Sequence, residues 1–143
     1  AKLYRKGQGR EAKLCYVMNA LMENRNGLLV GVEIHEANGM AERAGALELL
    51  DREPEGDRQI TLGGDKGYDT KDFVSECRRR NITPHVAQNI TATRGSAIDG
   101  RTTGPPGYAV SSVVRRRIES IFGWVKTTGN MRKTRYRGRE RVD

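Results

Sequence analysis

The chain has 143 residues, 36% hydrophobic and 31% charged, the size and composition of one folded domain rather than a disordered polymer. Its net charge of +8 sits in the last third: residues 1–100 hold 15 basic and 15 acidic residues, and residues 101–143 hold 11 basic and three acidic. That footprint points to a polyanion partner, most often nucleic acid, or else to a solvated basic tail, and no apolar run reaches the roughly 18 residues of a membrane span.

The opening stretch, residues 1–13, is basic and lacks the apolar segment of a secretory signal, so a cytoplasmic location is expected. Arg5 to Arg10 read as a loop. Residues 12–22 are apolar, and the Asn26-Gly27 turn joins them to residues 28–36, rich in β-branched side chains. Asn-Gly favours a tight hairpin, so both segments read as antiparallel strands. Residues 40–51 read as a helix with Ala44, Leu47 and Leu50 on its inner face. After a loop at residues 53–57, residues 59–63 form a short strand running into Gly64 and Asp65. Asp69 or Thr70 caps a helix over residues 70–80 that buries Phe73, Val74 and Cys77. Asn81 ends it, and residues 82–87 return as a strand with Pro84 at a sheet edge. Residues 88–107, with four glycines and two prolines, read as a long loop without apolar anchors. A continuous helix is expected over residues 108–126, then a basic tail over residues 128–143. Cys15 and Cys77 lack CxxC spacing and read as two reduced, packed thiols. Strands followed by alternating helices and strands imply an α/β sheet covered by helices, in one domain spanning 1–143.

Two carboxylates stand out. Asp65 follows a strand end, where ligands gather in open α/β sheets, and Gly63 and Gly64 would let a metal or phosphate approach the backbone; the plainer reading is that Asp65 starts the next turn. GGDKG lacks the full phosphate-loop spacing. Glu119 lies on the expected helix beside the apolar stripe Val114, Ile118, Ile121, Phe122 and Val125. At about 100° per residue, Arg115 and Lys126 fall within roughly 40° of it, which is either a site or an ordinary Arg–Glu pair on a helix. Phe122 and Trp124 read as core and edge packing rather than base-stacking groups.

Asp65-Lys66-Gly67-Tyr68 resembles the D-x-G-[FY] signature of insertion-sequence transposases, and Arg115, Glu119 and Lys126 match the spacing of their Y-x2-R-x3-E-x6-K signature. The stretches RKGQGREAKLCY, LMENRNGL, TLGGDKGYD, TPHVAQN, SAIDGRTT, GYAVS and RRRIESIFGWVKT are similar to the same bacterial DDE transposases, in the group that includes the insertion-sequence four and five elements. The resemblance covers essentially the whole chain. It implies an RNase H-like fold, a mixed sheet flanked by helices, and DNA transposition by metal-dependent phosphodiester hydrolysis and strand transfer. Asp65 and Glu119 would be the catalytic carboxylates, holding Mg2+ or Mn2+. With two metals about 4 Å apart, their carboxyl groups would lie roughly 4–8 Å from one another. Arg115, Lys126, Ser112, Arg101, Arg132, Lys133 and Arg135 would contact DNA at element ends and target, and residues 88–107 would line the active site. A homodimer stays open for a full-length enzyme.

Ser112 stands where the third signature has Tyr, so it can bond a phosphate but cannot stack. The family's first catalytic Asp lies upstream of the RKG-like loop. The expectation is therefore an interior piece that lacks the first strand and a final apolar helix, and is inactive alone. An RNase H-like nuclease and a non-catalytic basic nucleic-acid-binding module are the competing readings.

Overall fold

The computed structural model describes residues 1–54, 56–91 and 93–142. Glu55 of the 53–57 loop, Ala92 of the 88–107 segment and Asp143 at the end of the tail lie outside the described residues. The chain divides into two compact units, Ala1–Glu53 with Ile118–Asp143, and Pro54–Arg117.

In the first unit, the two apolar segments pair around the Asn-Gly turn as expected. They form β2 (Lys13–Glu23) and β3 (Leu28–Glu36), antiparallel from Tyr16↔Glu36 to Glu23↔Leu28, with one irregularity between Leu21 and Met22. The Glu23 carboxylate closes the turn by accepting from the N–H groups of Arg25 at 2.7 Å and Asn26 at 2.8 Å. The other edge of β2 carries β1 (Lys2–Tyr4), three residues too few to show a period in sequence.

α1 (Ala41–Asp51) packs on β2 and β3 by a face that shares only Leu50 with the expected one. It buries Ala41, Gly45, Leu49 and Leu50, while Ala44 is exposed and Leu47 half-buried. The cause is Gly45: a Cβ there would sit 2.2 Å from Asn19 Nδ2 and 2.8 Å from His35 Cδ2. The helix lies down on its glycine, and that turns Ala44 outwards.

In the second unit, β4 (Ile60–Gly64) runs parallel to β5 (Ile82–Val86), in register from Ile60↔Ile82 to Gly64↔Val86. The crossover is α2 (Lys71–Arg79), which buries Phe73, Val74 and Cys77. Thr70 is its cap, with Oγ1 accepting from the Phe73 N–H at 3.3 Å. Asn81 ends it in the left-handed region, φ 58°. Burial pushes the Cys77 thiol up to about 12, so it is an inert packed group, and Cys15 is likewise unpaired.

Three expectations change. The described residues form a three-stranded antiparallel and a two-stranded parallel sheet rather than one mixed sheet, within an α/β fold. The 88–107 segment is not a plain loop: Ile98 and Thr102 are buried, α3 (Gly100–Thr103) makes one turn capped by Asp99, and α4 (Pro106–Val114) begins on a proline. The helix expected over 108–126 is α4, a tight 3-10 turn at Arg115–Arg117, and α5 (Ile118–Lys126). The tight turn replaces α-helical geometry at Arg115–Arg117, so the step of about 100° per residue does not apply there. Val114, Ile118, Ile121, Phe122 and Val125 are half-buried, whereas Trp124 is 60% exposed rather than packed. The tail ends in α6 (Arg139–Val142), which packs on β3 through polar contacts.

Candidate active site

Asp65 is placed by its strand. β4 ends at Gly64, and Asp65 follows in extended backbone, capping the 3-10 turn Lys66–Tyr68 by accepting from the Gly67 N–H at 2.7 Å. Asp65 is exposed, and so are Lys66 and Gly67. The carboxylate thus leaves the carboxyl end of a parallel pair with one oxygen bonded locally. Among the described residues, its other oxygen takes no hydrogen bond.

Arg115 is brought to the same strand end. Its Nη1 donates to the Gly64 carbonyl at 2.9 Å, and that oxygen also accepts from the Ala87 N–H at 3.0 Å. The expectation that Gly63 and Gly64 open the backbone to a ligand is not met: the protein's own side chains fill that space. A Cβ on Gly63 would meet Arg115 Cβ at 3.1 Å, and one on Gly64 would meet Val86 Cγ1 at 3.2 Å and Tyr68 Cδ2 at 3.3 Å. The glycines admit the protein's own side chains. α4 is fastened there by Tyr108, whose hydroxyl donates to the Val86 carbonyl at 2.9 Å, and by Ser111, whose Oγ is 2.7 Å from His85 Nδ1. Burial pushes the His85 imidazole below its ordinary pKa. Ser112 donates to the Tyr108 carbonyl at 2.9 Å within its own helix, so bonding a phosphate requires giving up that contact.

Asp69, four residues after Asp65, is wholly buried. It accepts from the N–H groups of Asn89 at 2.7 Å and Ala97 at 2.8 Å, while Arg94 donates to its backbone carbonyl. Burial pushes this carboxyl up, but the bonds from Asn89, Ser96 and Ala97 and the charge of Arg94 outweigh it and hold the pKa below the usual range. The sequence offers Asp69 or Thr70 as the cap of α2, and Thr70 takes that place. Asp69 is the anchor that ties the 88–97 stretch to the turn bearing Asp65.

Arg101 is placed elsewhere. It is exposed, paired with Asp99 through Nη2 to Oδ2 at 2.8 Å, and lines a cavity of about 330 Å³ with Gln59, Arg78 and Thr83. Gln59 and Thr83 mark the amino ends of β4 and β5, so Arg101 sits at the opposite end of the parallel pair from Asp65. Glu119 and Lys126 belong to the other unit. Both are exposed on α5, seven residues apart, hence within about 20° on one face. Glu119 stands in the first turn and Lys126 in the last, each favoured there by the helix dipole. Arg132, Lys133 and Arg135 are exposed in the turns that follow. Among the described residues, no helix is long and apolar enough to cross a membrane.

A family model described as a transposase DDE domain matches residues 2–143. No curated protein and no solved structure matches the chain.

Proposed function

The chain belongs to the transposase DDE-domain family, whose work is DNA transposition, and from that premise we propose that Asp65 and Glu119 are its catalytic carboxylates in metal-dependent cleavage and joining of DNA. The observation that carries the reading is Asp65 itself: an exposed carboxylate at the carboxyl end of β4, inside the D-x-G-Y pattern, with Arg115 docked on the carbonyl just before it. The family resemblance supports Glu119 as its partner, an RNase H-like arrangement and an insertion-sequence origin.

The donor set fits Mg2+ or Mn2+. Asp65 and Glu119 offer hard, exposed carboxylate oxygens of the kind these ions prefer. When bound, such ions activate an oxygen nucleophile and stabilise the leaving oxygen of a phosphodiester. The chain's own residues do the rest. Arg115 braces the strand end, so the direction of Asp65 is fixed before DNA arrives. Lys66 beside Asp65, and Lys126 on the Glu119 face, are exposed cations suited to phosphate oxygens. Arg132, Lys133 and Arg135 of the tail are further exposed cations suited to phosphate oxygens.

The test is Mn2+ binding, followed by electron paramagnetic resonance on the purified chain. Asp65→Asn and Glu119→Gln should each weaken binding about tenfold or more, while Asp99→Asn should leave it unchanged. If both variants bind Mn2+ as the unaltered chain does, the assignment is wrong.

A further inference from the structure

A second constellation of ligand atoms lies under α1. Glu33 and His35 are two residues apart on β3 and so share a face. Gly45 lets α1 settle against that face, with its Cβ position 2.8 Å from the His35 ring, and Glu48 comes down one turn later. One ligating atom each from Glu33, His35 and Glu48 falls within 4.8 Å of the others, and His35 Nε2 is 3.5 Å from Glu48 Oε2.

Two arginines already attend this cluster. Glu33 is 1% exposed, with Arg52 against one carboxylate oxygen and Arg139 against the other. Arg139 also reaches Glu48 at 3.7 Å. The guanidiniums answer the carboxylates, while His35 Nε2 faces Glu48 Oε2 at 3.5 Å without a hydrogen bond. That nitrogen is buried, in a residue only 9% exposed. A buried imidazole nitrogen beside two carboxylates that makes no hydrogen bond costs stability until something binds it.

We propose that Glu33, His35 and Glu48 form a binding site for a divalent transition-metal ion, Zn2+ above all, in which the Arg139 guanidinium stands when the ion is absent. Zinc–ligand distances of about 2.0–2.2 Å put tetrahedral donors roughly 3.5 Å apart, the spacing found between His35 and Glu48. One imidazole nitrogen with two carboxylate oxygens suits zinc and its neighbours, whereas Mg2+ keeps to oxygen ligands. Arg52, on the far oxygen of Glu33, would hold that carboxylate in place as an outer partner. Arg139 is the replaceable cation. It sits on a four-residue helix, 45% exposed, at the end of the basic segment. An incoming ion of charge +2 repels it, so metal binding and release of the 138–142 segment are coupled. The segment is also tethered by the Gly138 N–H, which donates to the Tyr16 hydroxyl at 3.1 Å. The proposal uses neither Asp65 nor Glu119.

Zinc titration calorimetry tests it, on a chain carrying Asp65→Asn and Glu119→Gln so that those carboxylates add nothing. One equivalent of Zn2+ should bind in the presence of millimolar Mg2+. Glu48→Gln should weaken it about tenfold or more, and His35→Ala should abolish it. Arg139→Ala should tighten it about tenfold by removing the competing charge. Glu48 is 48% exposed at its side chain, so its variant keeps the test alive even where the His35 variant fails to fold. X-ray absorption at the zinc edge should show one imidazole nitrogen among oxygen ligands. No zinc binding, with or without Arg139, overturns the proposal. So does binding indifferent to both Glu48→Gln and Arg139→Ala.

Discussion

Asp65 and Glu33 are acidic groups in different units of the chain, and their surroundings are opposites. Glu33 is buried between β3 and α1, with a guanidinium against each oxygen. Asp65 stands exposed at a strand end, held by one backbone N–H. Asp69 repeats the contrast within a single turn, since it is buried and saturated by backbone donors only four residues on. A carboxylate saturated by backbone donors, as Asp69 is, is committed to structure. One left in solvent with a fixed direction can serve a partner that comes from outside.

The sharpest way to break this comparison is to remove each carboxylate in turn. Asp69→Ala leaves the N–H groups of Asn89 and Ala97 without their acceptor and takes a charge away from Arg94, and should cost about 3 kcal/mol or more in urea unfolding. Asp65→Ala removes only a local cap and should cost about 0.5–1 kcal/mol. Similar losses at the two positions would erase the distinction between anchor and site. The next effect is smaller. Gly45→Ala should cost about 1–3 kcal/mol by overpacking, even though alanine is the better helix former, because Asn19 stands 2.2 Å from the new Cβ. A neutral or stabilising result would mean that α1 does not rest on its glycine.

These sites differ in how far the sequence announces them. The hairpin, the βαβ unit and Asp65 at its strand end follow from local rules: an Asn-Gly turn, a Thr cap, and Phe73, Val74 and Cys77 on one helix face. The inner face of α1 does not follow, because a glycine's power to bring a helix close depends on Asn19 and His35 from distant strands. The same is true of Asp69, whose donors lie 20 and 28 residues away. The break in the long helix is equally hidden, since Arg115 turns to a carbonyl 51 residues earlier. One clue to the Glu33 cluster was visible: Glu33 and His35 interrupt the apolar run of β3 at a spacing of two. Nothing local showed that arginines from residues 52 and 139 would meet there.

Acid should erode both units, at different pH. Glu33 is pushed up by burial, but the bond from Arg139 and the charge of Arg52 outweigh this and hold it below the usual range, as the donors around Asp69 do for that residue. Carboxyls depressed in the folded state stabilise it above their unfolded pKa of about 4, and that stability is lost as pH falls through the folded values. His85 is depressed by burial, so protonation favours the unfolded chain once pH drops below about 6.5. Unfolding free energy should therefore hold steady above about pH 7, ease downwards below 6.5 and fall more steeply below about 4. His85→Gln should remove the first decline and keep the second. If the first decline persists in that variant, another group is responsible.

The smallest effect on stability should come from the basic tail, where the comparison recurs among cations. Arg132, Lys133 and Arg135 are exposed, whereas Arg139 is tied to Glu33. Changing the first three to Gln should alter unfolding free energy by no more than about 0.5 kcal/mol, because nothing buried depends on them. Their effect belongs in DNA affinity. Each phosphate neutralised contributes roughly −0.9 to the slope of log affinity against log salt, so the triple variant should flatten that slope by roughly 2–3. Arg139→Gln should do the reverse, lowering stability while leaving the slope nearly intact, because its charge is turned onto Glu33. Fluorescence anisotropy with a short duplex over a salt series reads both. If the triple variant binds with an unchanged slope, the tail is only a solvated end, and the positive charge that meets DNA must be sought on the Arg115–Arg117 turn and Lys126.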